Sequence, residues 1–306
     1  MGEEKRDILA VNVDMSCDES CEACERFFDC DKPARQKVYD RKRVKKILKN
    51  MKKIKHKIGI LAGKGGVGKS LLSANLTMAL AMRGRSVNIL DHDFDGPCIP
   101  KMFGVENKRL YVTEEGIEPV IGEQGVGIVS TGLMMGSEDY LTWFHELRRS
   151  ATEEFLSRVI YGNSDYLVID LPPGTSSDAV NMMTYIPDID GVIVVTIPPQ
   201  VSQIVALRAG LLCQKANVRI LGVVENMSGY VCPDCKEIIE VFKTGGGEQL
   251  AKDLGVPFLG RIPLDAALSE SSDVGKPFVF THPESPASKS LFEICDKVEA
   301  MVGWKG

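Results

Sequence analysis

Residues 63–70 have the sequence GKGGVGKS, which fits the phosphate-loop pattern G-x-x-x-x-G-K-[ST] without a mismatch. The apolar run before it, residues 57–62, predicts a buried strand, and residues 71–82 predict an apolar-striped helix. In that setting glycines let the backbone approach a phosphate, and the start of the helix offers N–H groups to the anion. We therefore predict that Lys69 neutralises the β- and γ-phosphates and that Ser70 binds Mg²⁺. A glycine-rich turn without a ligand is the alternative.

A second lysine stands near the start of the loop. The phosphate-loop pattern does not require Lys64, because Lys69 already fills its lysine position. The position of Lys64 resembles that of the signature lysine of the deviant phosphate-loop ATPases, which include the nitrogenase iron protein, MinD, ParA, ArsA and Mrp. In that class two subunits face each other, and this lysine crosses to the partner's nucleotide. A solvated loop side chain is the alternative for Lys64.

The composition is that of a globular protein: 306 residues, 44% of them hydrophobic, with a formal net charge of −5. We expect an N-terminal cysteine segment over 1–31, a basic linker helix over 32–56 and one ATPase domain over 57–306. The longest apolar runs, such as residues 191–197, fall far short of the roughly 20 residues that span a bilayer. The polar start of the chain and Arg6 fit neither a signal peptide nor a myristoylation site, so we expect a cytoplasmic protein without a membrane partner.

Four of the nine cysteines lie close together, at Cys17, Cys21, Cys24 and Cys30. Four thiolates in so short a polar segment favour a shared metal centre over packing in a core. An iron–sulfur cluster and a tetrahedral zinc ion both accept four thiolates, so ligand number leaves both open. Four idle thiols on a tail are the third alternative. Cys213 and Cys295, by contrast, lie on apolar helical stretches and are expected to be buried.

A strongly basic stretch joins the cysteine segment to the phosphate-loop strand. Residues 32–57 contain 13 Lys and Arg and a single acid, Asp40, and their apolar residues recur at helical spacing. This charge suggests binding to nucleic acid or to a membrane surface. A solvated linker helix, resting on an acidic face of its own domain or of a partner, is the alternative. We favour it because the stretch has one aromatic residue, Tyr39, and no nucleic-acid-binding motif.

Two further predicted strands end in carboxylates. Residues 86–90 run into the turn DHDFDGP, residues 91–97, and the apolar stretch DYLVID ends at Asp170. The carboxyl ends of parallel strands share one edge of the sheet, where Mg²⁺ and the attacking water would lie. We predict that Asp93 orients that water and that Asp170 supports the Mg²⁺ shell. Turn formation or helix capping is the alternative for these carboxylates.

Strands and helices alternate along the rest of the chain. This pattern predicts an α/β fold with right-handed βαβ crossovers and helices on both faces of a mostly parallel, twisted sheet. The glycine loop LPPGTSSD, residues 171–178, is a predicted switch loop for the γ-phosphate. The strand over 219–225 ends at Asn226, whose amide is suited to hydrogen bond the adenine edge. The strand over 257–262 leads to Pro263.

Cys232 and Cys235 form a C-P-x-C motif, and two thiolates from one chain do not complete a four-ligand site. The nearby sequence contains neither a second C-x-x-C nor a C-x-x-H. A two-fold dimer in which each chain supplies both cysteines to one shared centre is the economical solution. It agrees with the facing subunits that Lys64 implies. A shared zinc ion and a redox dithiol are the alternatives.

Five motifs in this order, KGGVGKS, LDHDFDGP, DYLVIDLPPGT, VVENMS and CPDC, resemble the Mrp/ApbC family of iron–sulfur cluster carrier ATPases. The N-terminal cysteines look like those of the family's scaffold branch, which holds a second [4Fe-4S] cluster there. Cys17 lies closer to the next cysteine than the family's first cysteine does. The resemblance implies a P-loop NTPase fold of the MinD-like class and a homodimeric ATPase. Such a protein assembles a labile [4Fe-4S] cluster at the dimer interface and transfers it to apo iron–sulfur proteins.

The resemblance also assigns roles by position. ATP binding falls to eleven residues: Gly63, Lys64, Gly65, Gly66, Val67, Gly68, Lys69, Ser70, Leu71, Asn226 and Pro263. The catalytic residues are Lys64, Lys69 and Asp93, the Mg²⁺ residues are Ser70, Asp93 and Asp170, and the bridging cluster residues are Cys232 and Cys235.

Two places depart from the family pattern. Cys98 replaces the serine that usually follows G-P, and residues 143–146, WFHE, replace W-R-G-P. A MinD- or ParA-type positioning ATPase that acts on DNA or membrane is the alternative function. A zinc-bridged NTPase is a further one.

Overall fold

The computed structural model describes residues 41–134, 145–174, 177–186, 188–232, 235 and 237–304. Cys17, Cys21, Cys24 and Cys30 lie outside the described residues, as do Trp143 and Phe144. The helices are α1 Lys42–Met51, α2 Lys69–Met82, α3 Ile99–Met102, α4 His145–Arg158, α5 Ser177–Tyr185, α6 Gln200–Lys215, α7 Gly246–Leu254, α8 Ala266–Asp273, α9 Phe278–Thr281 and α10 Pro286–Val302. The strands are β1 His56–Ala62, β2 Val87–Asp91, β3 Tyr111–Val112, β4 Ile117–Glu118, β5 Val120–Ile121, β6 Gly127–Ser130, β7 Tyr166–Asp170, β8 Gly191–Thr196, β9 Ile220–Glu225, β10 Tyr230–Val231, β11 Ile238–Ile239 and β12 Phe258–Arg261.

The main sheet has eight strands in the order β12-β9-β8-β1-β7-β2-β6-β5. Neighbouring strands run parallel, except for the antiparallel pair β5 and β6 at one edge. Strands β7 and β8 are buried over their whole length, as is typical of a parallel sheet covered on both faces. The predicted α/β fold is therefore confirmed.

Successive side chains of each strand enter two different apolar cores. In β7, Leu167 and Ile169 pack with α1, α4, α5, α6 and α7, whereas Tyr166 and Val168 pack with α2, α9 and α10. Cys213 belongs to the first core and Cys295 to the second, and both are fully buried, as predicted.

Helix α1 is part of the first core. Its side chains Val44, Ile47 and Met51 are buried against α4 and α5, while its lysines face solvent. The Asn50 side-chain amide donates to the carbonyl oxygens of Leu156 and Val159, at 3.0 and 2.9 Å. The predicted boundary at residue 57 therefore does not coincide with a break in the core.

A buried carboxylate on α4 forms ion pairs with basic residues at the N-terminal end of α1. Glu153 is 4% exposed and forms ion pairs with Arg41 and with Arg43, the latter at 3.2 Å. The Tyr185 hydroxyl, at the end of α5, donates to the same carboxylate at 3.0 Å. The acidic face on which the basic helix rests thus belongs to its own domain.

The sequence patterns did not predict two small hairpins. Strands β3 and β4 form one, and β10 and β11 form the other, each with two residues per strand. So short a strand shows no alternation of apolar and polar residues, which is the signal that predicts strands. The connection between the strands of the second hairpin carries the predicted cluster residues Cys232 and Cys235.

Candidate functional site

The phosphate loop joins β1 to α2 at the carboxyl edge of the sheet, between the neighbours β7 and β8. Close packing requires glycine at two positions of the loop, Gly63 and Gly68. A Cβ at Gly63 would lie 2.3 Å from the backbone of Ala206 in α6, and Gly68 has a φ of +87° with Asn226 directly against it. The Asn226 amide donates to the carbonyl oxygen of Val67 at 2.9 Å, so it holds the loop from below.

The loop lines a cleft of about 480 Å³. The cleft brings together nine of the predicted ATP-binding residues: Lys64, Gly65, Gly66, Gly68, Lys69, Ser70, Leu71, Asn226 and Pro263. Gly63 and Val67 lie outside its wall, and Val67 is 2% exposed. The opposite wall comes from α8, through Leu268 and Ser272, and no sequence motif pointed to it.

Lysine, hydroxyl and carboxylate groups meet on the floor of the site. The Lys69 ammonium lies 2.7 Å from Asp170 Oδ2 and 3.7 Å from Asp93 Oδ2. The Ser70 hydroxyl donates to the same Asp170 oxygen at 2.6 Å. Asp170 is fully buried and Asp93 is half-buried. A hydroxyl and two carboxylates at one point are the hard oxygen ligands that Mg²⁺ prefers, so these residues fit the predicted metal.

Two residues of this network were not predicted. The Ser73 hydroxyl, one turn along α2 from Ser70, lies 2.6 Å from Asp170 Oδ1 and is fully buried. Asp91 at the end of β2 accepts hydrogen bonds from the Ser130 hydroxyl at 3.0 Å and from the Ile99 N–H at 3.2 Å. Burial and the neighbouring Asp170 raise the pKa of Asp91 above its ordinary value.

Between these acids, His92 is neutral. Burial, with the nearby charges of Lys69 and Arg148, lowers its pKa to about 3. Its Nε2 atom lies 2.8 Å from the Thr152 hydroxyl of α4. Within the turn 91–97, Asp93 is therefore the half-buried carboxylate next to Lys69, and the hydrogen bond between His92 and Thr152 links the turn to α4.

Lys64 lines the cleft, and the predicted switch loop begins beside it, where Pro173 also lines the cleft. Lys64 is half-buried and forms no salt bridge or side-chain hydrogen bond with any residue that the structure describes. In the predicted switch loop, the Gly174 N–H donates to the carbonyl oxygen of Ala62 at 2.7 Å, with a φ of +81° that favours glycine. This contact ties the start of the switch loop to β1; residues 175 and 176 lie outside the described part of the chain.

The cysteine motif lies beside the nucleotide cleft. Cys232 is half-buried, Cys235 is exposed, and Cys232 lines a second cavity of about 440 Å³. The two cavities share a wall formed by residues 263–265. Over the described residues, no group of three or more His, Cys, Asp or Glu side chains is arranged to hold a metal ion. Cys98 is exposed and lines the nucleotide cleft instead.

A family described as "ParA: NUBPL iron-transfer P-loop NTPase" matches residues 53–299. The chain belongs to this family. The chain is 43% identical over 286 residues to the iron–sulfur cluster carrier protein of Methanocaldococcus jannaschii, and the match covers 92% of this chain and 98% of that protein. It is 44% identical over 258 residues to the protein of the same name from Saccharolobus solfataricus, with 84% and 87% covered. The predicted family resemblance is confirmed.

Solved structures with the same fold agree with this family assignment. A nucleotide-binding protein from Archaeoglobus fulgidus, in complex with ADP and with cobalt found in it, superimposes with a TM-score of 0.70 at 34% identity, covering 81% of this chain and 96% of that one. The cell division ATPase MinD from Pyrococcus furiosus gives a TM-score of 0.59 at 25% identity, with 80% and 99% covered. The predicted MinD-like P-loop class is confirmed. None of the described helices of this NTPase is long and apolar enough to cross a membrane.

Proposed function

We propose that this protein is an ATP-dependent carrier that holds a labile [4Fe-4S] cluster between two copies of the chain and delivers it to apo iron–sulfur proteins. The shared wall between the nucleotide cleft and the cavity at Cys232 is the observation that carries the proposal. A nucleotide in the cleft and a cargo held by Cys232 would both contact residues 263–265. The names of the two relatives above support iron–sulfur as the cargo.

The ATP site follows from the floor of the cleft. We assign the phosphates to the loop N–H groups and Lys69, and Mg²⁺ to Ser70, Asp93 and Asp170, directly or through water. Bound Mg²⁺ supplies charge neutralisation for the phosphate oxygens. Asp93 orients the attacking water, since it is the half-buried carboxylate nearest to Lys69 after Asp170. Ser73 keeps Asp170 in place through its second oxygen. The loop carbonyl takes one of the two N–H donors of the Asn226 amide, which leaves the second N–H and the oxygen for the adenine edge.

The second copy supplies what one chain lacks. Cys232 and Cys235 are two thiolates of the four that a [4Fe-4S] cluster takes, and a two-fold axis beside them supplies the other two. Lys64 has no partner among the described residues of its own chain, which fits a lysine that reaches the partner's nucleotide. We assign a second centre, a [4Fe-4S] cluster or zinc, to Cys17, Cys21, Cys24 and Cys30.

Anaerobic reconstitution tests the proposal. Wild type, the double variant Cys232→Ser/Cys235→Ser and a deletion of residues 1–31 are treated with iron and sulfide, and iron, sulfide and zinc are counted per chain. We expect the deletion to keep about four irons per dimer and the double variant to lose them. Combining both changes should leave a colourless protein. Iron that stays when Cys232 and Cys235 are absent and residues 1–31 are deleted would refute the shared site. A salt-sensitive shift of DNA that survives Cys232→Ser would favour a positioning ATPase.

A further inference from the structure

The cysteine arm, residues 229–245, begins and ends at one carboxylate. Glu225, the last residue of β9, is fully buried. At the entry of the arm, the Ser228 hydroxyl donates to Glu225 Oε1 at 2.5 Å. At the exit, the Gly245 N–H donates to Oε1 at 3.1 Å and the Gly247 N–H donates to Oε2 at 2.5 Å. Both ends of the arm are therefore fastened to the same side chain.

Two glycines shape the exit of the arm: Gly247 leaves room for the Glu225 side chain, and Gly245 adopts a left-handed conformation before α7. Gly245 has a φ of +93° and caps α7, and a Cβ at Gly247 would lie 2.7 Å from the Glu225 side chain. Glu225 thus accepts N–H groups at the start of a helix, where the helix dipole favours an anion. Arg261 of β12 lies 3.3 Å from Oε1 and balances the charge.

The residue that follows Glu225 holds the phosphate loop. Asn226 donates to the Val67 carbonyl, and Gly68 would collide with the Asn226 amide if it carried a Cβ. On the other side, Leu264 in the shared wall donates from its N–H to the Gly229 carbonyl at 2.7 Å. The five residues 225–229 therefore touch the phosphate loop, the shared wall and both ends of the cysteine arm.

We infer that Glu225 is a positioning residue, which fixes Cys232 and Cys235 relative to the phosphate loop and passes the nucleotide state of the loop to them. The inference rests on the proposed function for the identity of the cargo only. An ionised carboxylate accepts from all three donors, whereas an amide has a single acceptor oxygen and turns N–H groups toward one of them. In either orientation of the amide, Glu225→Gln therefore takes the acceptor from one of the two exit N–H groups, Gly245 or Gly247, without removing the side chain.

Thiol alkylation of the full-length chain without a cluster tests this inference. The rates at Cys232 and Cys235 with iodoacetamide are followed by mass spectrometry, without nucleotide, with Mg·ADP and with a non-hydrolysable Mg·ATP analogue. Cys213 and Cys295 serve as internal references, since both are buried and burial raises the pKa of each thiol to about 12. In wild type we expect the Cys232 rate to change about fivefold or more between nucleotide states, the usual scale of coupling between two sites.

In Glu225→Gln we expect faster alkylation of Cys232 and Cys235 without nucleotide, loss of the nucleotide dependence, and unchanged affinity for Mg·ADP. The matched control is Glu248→Gln. Glu248 also pairs with Arg261, at 2.8 Å, but it is 47% exposed in its side chain and contacts neither end of the arm. It should behave as wild type.

Four results would overturn the inference: wild-type rates that ignore nucleotide, wild-type behaviour of Glu225→Gln, the same response in Glu248→Gln, or faster alkylation of Cys213 and Cys295 as well. If Glu225→Gln does not fold, the same alkylation experiment is made with Ser228→Ala. This variant removes only the hydrogen bond from Ser228 to Glu225 at the entry of the arm. Loss of the nucleotide dependence in Ser228→Ala supports the inference, and wild-type behaviour refutes it. Failure of cluster binding would refute the proposed function and leave these rates unaffected.

Discussion

The phosphate loop and the cysteine arm flank the same five residues, 225–229, but they are held in different ways. In the loop, Lys69 and Val67 are buried, and Asp170 beneath them is bound by Lys69, Ser70 and Ser73. The arm contains two-residue strands, an exposed Cys235 and exposed apolar side chains at residues 239, 241 and 242. Folding of one chain organises the loop, whereas the arm is fastened at its ends and, in our proposal, completed by a second copy.

The largest effect should come from Lys64, the loop lysine without a side-chain partner among the described residues of its own chain. We expect Lys64→Ala to lower kcat for ATP by about 10³-fold, in the range of a cation supplied in trans to a phosphoryl-transfer site. Affinity for Mg·ATP should change little, because Lys69 and the loop N–H groups stay in place. Steady-state ATPase assays and equilibrium titration separate the two quantities. An unchanged kcat would mean that Lys64 is a solvated side chain and that the loop is complete without a partner.

The contrast between a firmly packed loop and a loosely packed arm also applies to α1. Like the loop, this helix is packed within a single chain. Ile47 is fully buried, so Ile47→Ala should lower the free energy of unfolding by about 2–5 kcal/mol. Denaturant unfolding followed by circular dichroism measures this change. Lys46→Ala, on the exposed side of the same helix, is the control and should have little effect. Equal stability of the two variants would show that α1 does not contribute to the core and would support the separate linker helix that the sequence predicts.

A smaller effect on the loop side tests how Asp170 is oriented. Ser73→Ala removes a hydrogen bond to a charged group, which is worth about 1.5–3 kcal/mol. We expect a rise in the Mg²⁺ concentration needed for half-maximal ATPase activity, by roughly tenfold or more for that energy. Thr77→Val is the matched control, because its buried hydroxyl, one turn further along α2, has no hydrogen-bond partner in the described structure. If both variants shift the Mg²⁺ dependence alike, Ser73 has no special part in the site.

The smallest effect on stability belongs to the arm. Phe242 is 43% exposed, and Phe242→Ala should change the free energy of unfolding of the cluster-free chain by no more than about 0.5 kcal/mol. Phe278 of α9 is an aromatic residue that is 1% exposed, and Phe278→Ala should lower the free energy of unfolding by about 3–5 kcal/mol. Urea titration compares the two. A large loss of stability in Phe242→Ala would show that one chain already packs the arm firmly.

The sequence predicts the loop side of the comparison far better than the arm side. Strand, loop and helix over 57–82 obey local patterns, and Asp170 follows from a buried strand that ends in an acid. The contacts of Ser73 and Glu225 depend on residues far apart in the chain or on backbone N–H groups, which no motif records.

The environment of the basic helix α1 could not be predicted from its sequence either. Its helical spacing was visible, but its partner Glu153 lies more than a hundred residues away, in a helix with no distinctive pattern. Charge alone therefore could not decide between a solvated linker and a helix packed in the core.

Native mass spectrometry of the reconstituted chain lacking residues 1–31, kept free of oxygen, tests the central claim most directly. We expect the mass of a dimer plus one [4Fe-4S] cluster, and a cluster-free species for the Cys232→Ser/Cys235→Ser variant of the same chain. A cluster carried by a single chain, or a dimer that binds iron as well without these two cysteines, would contradict the account.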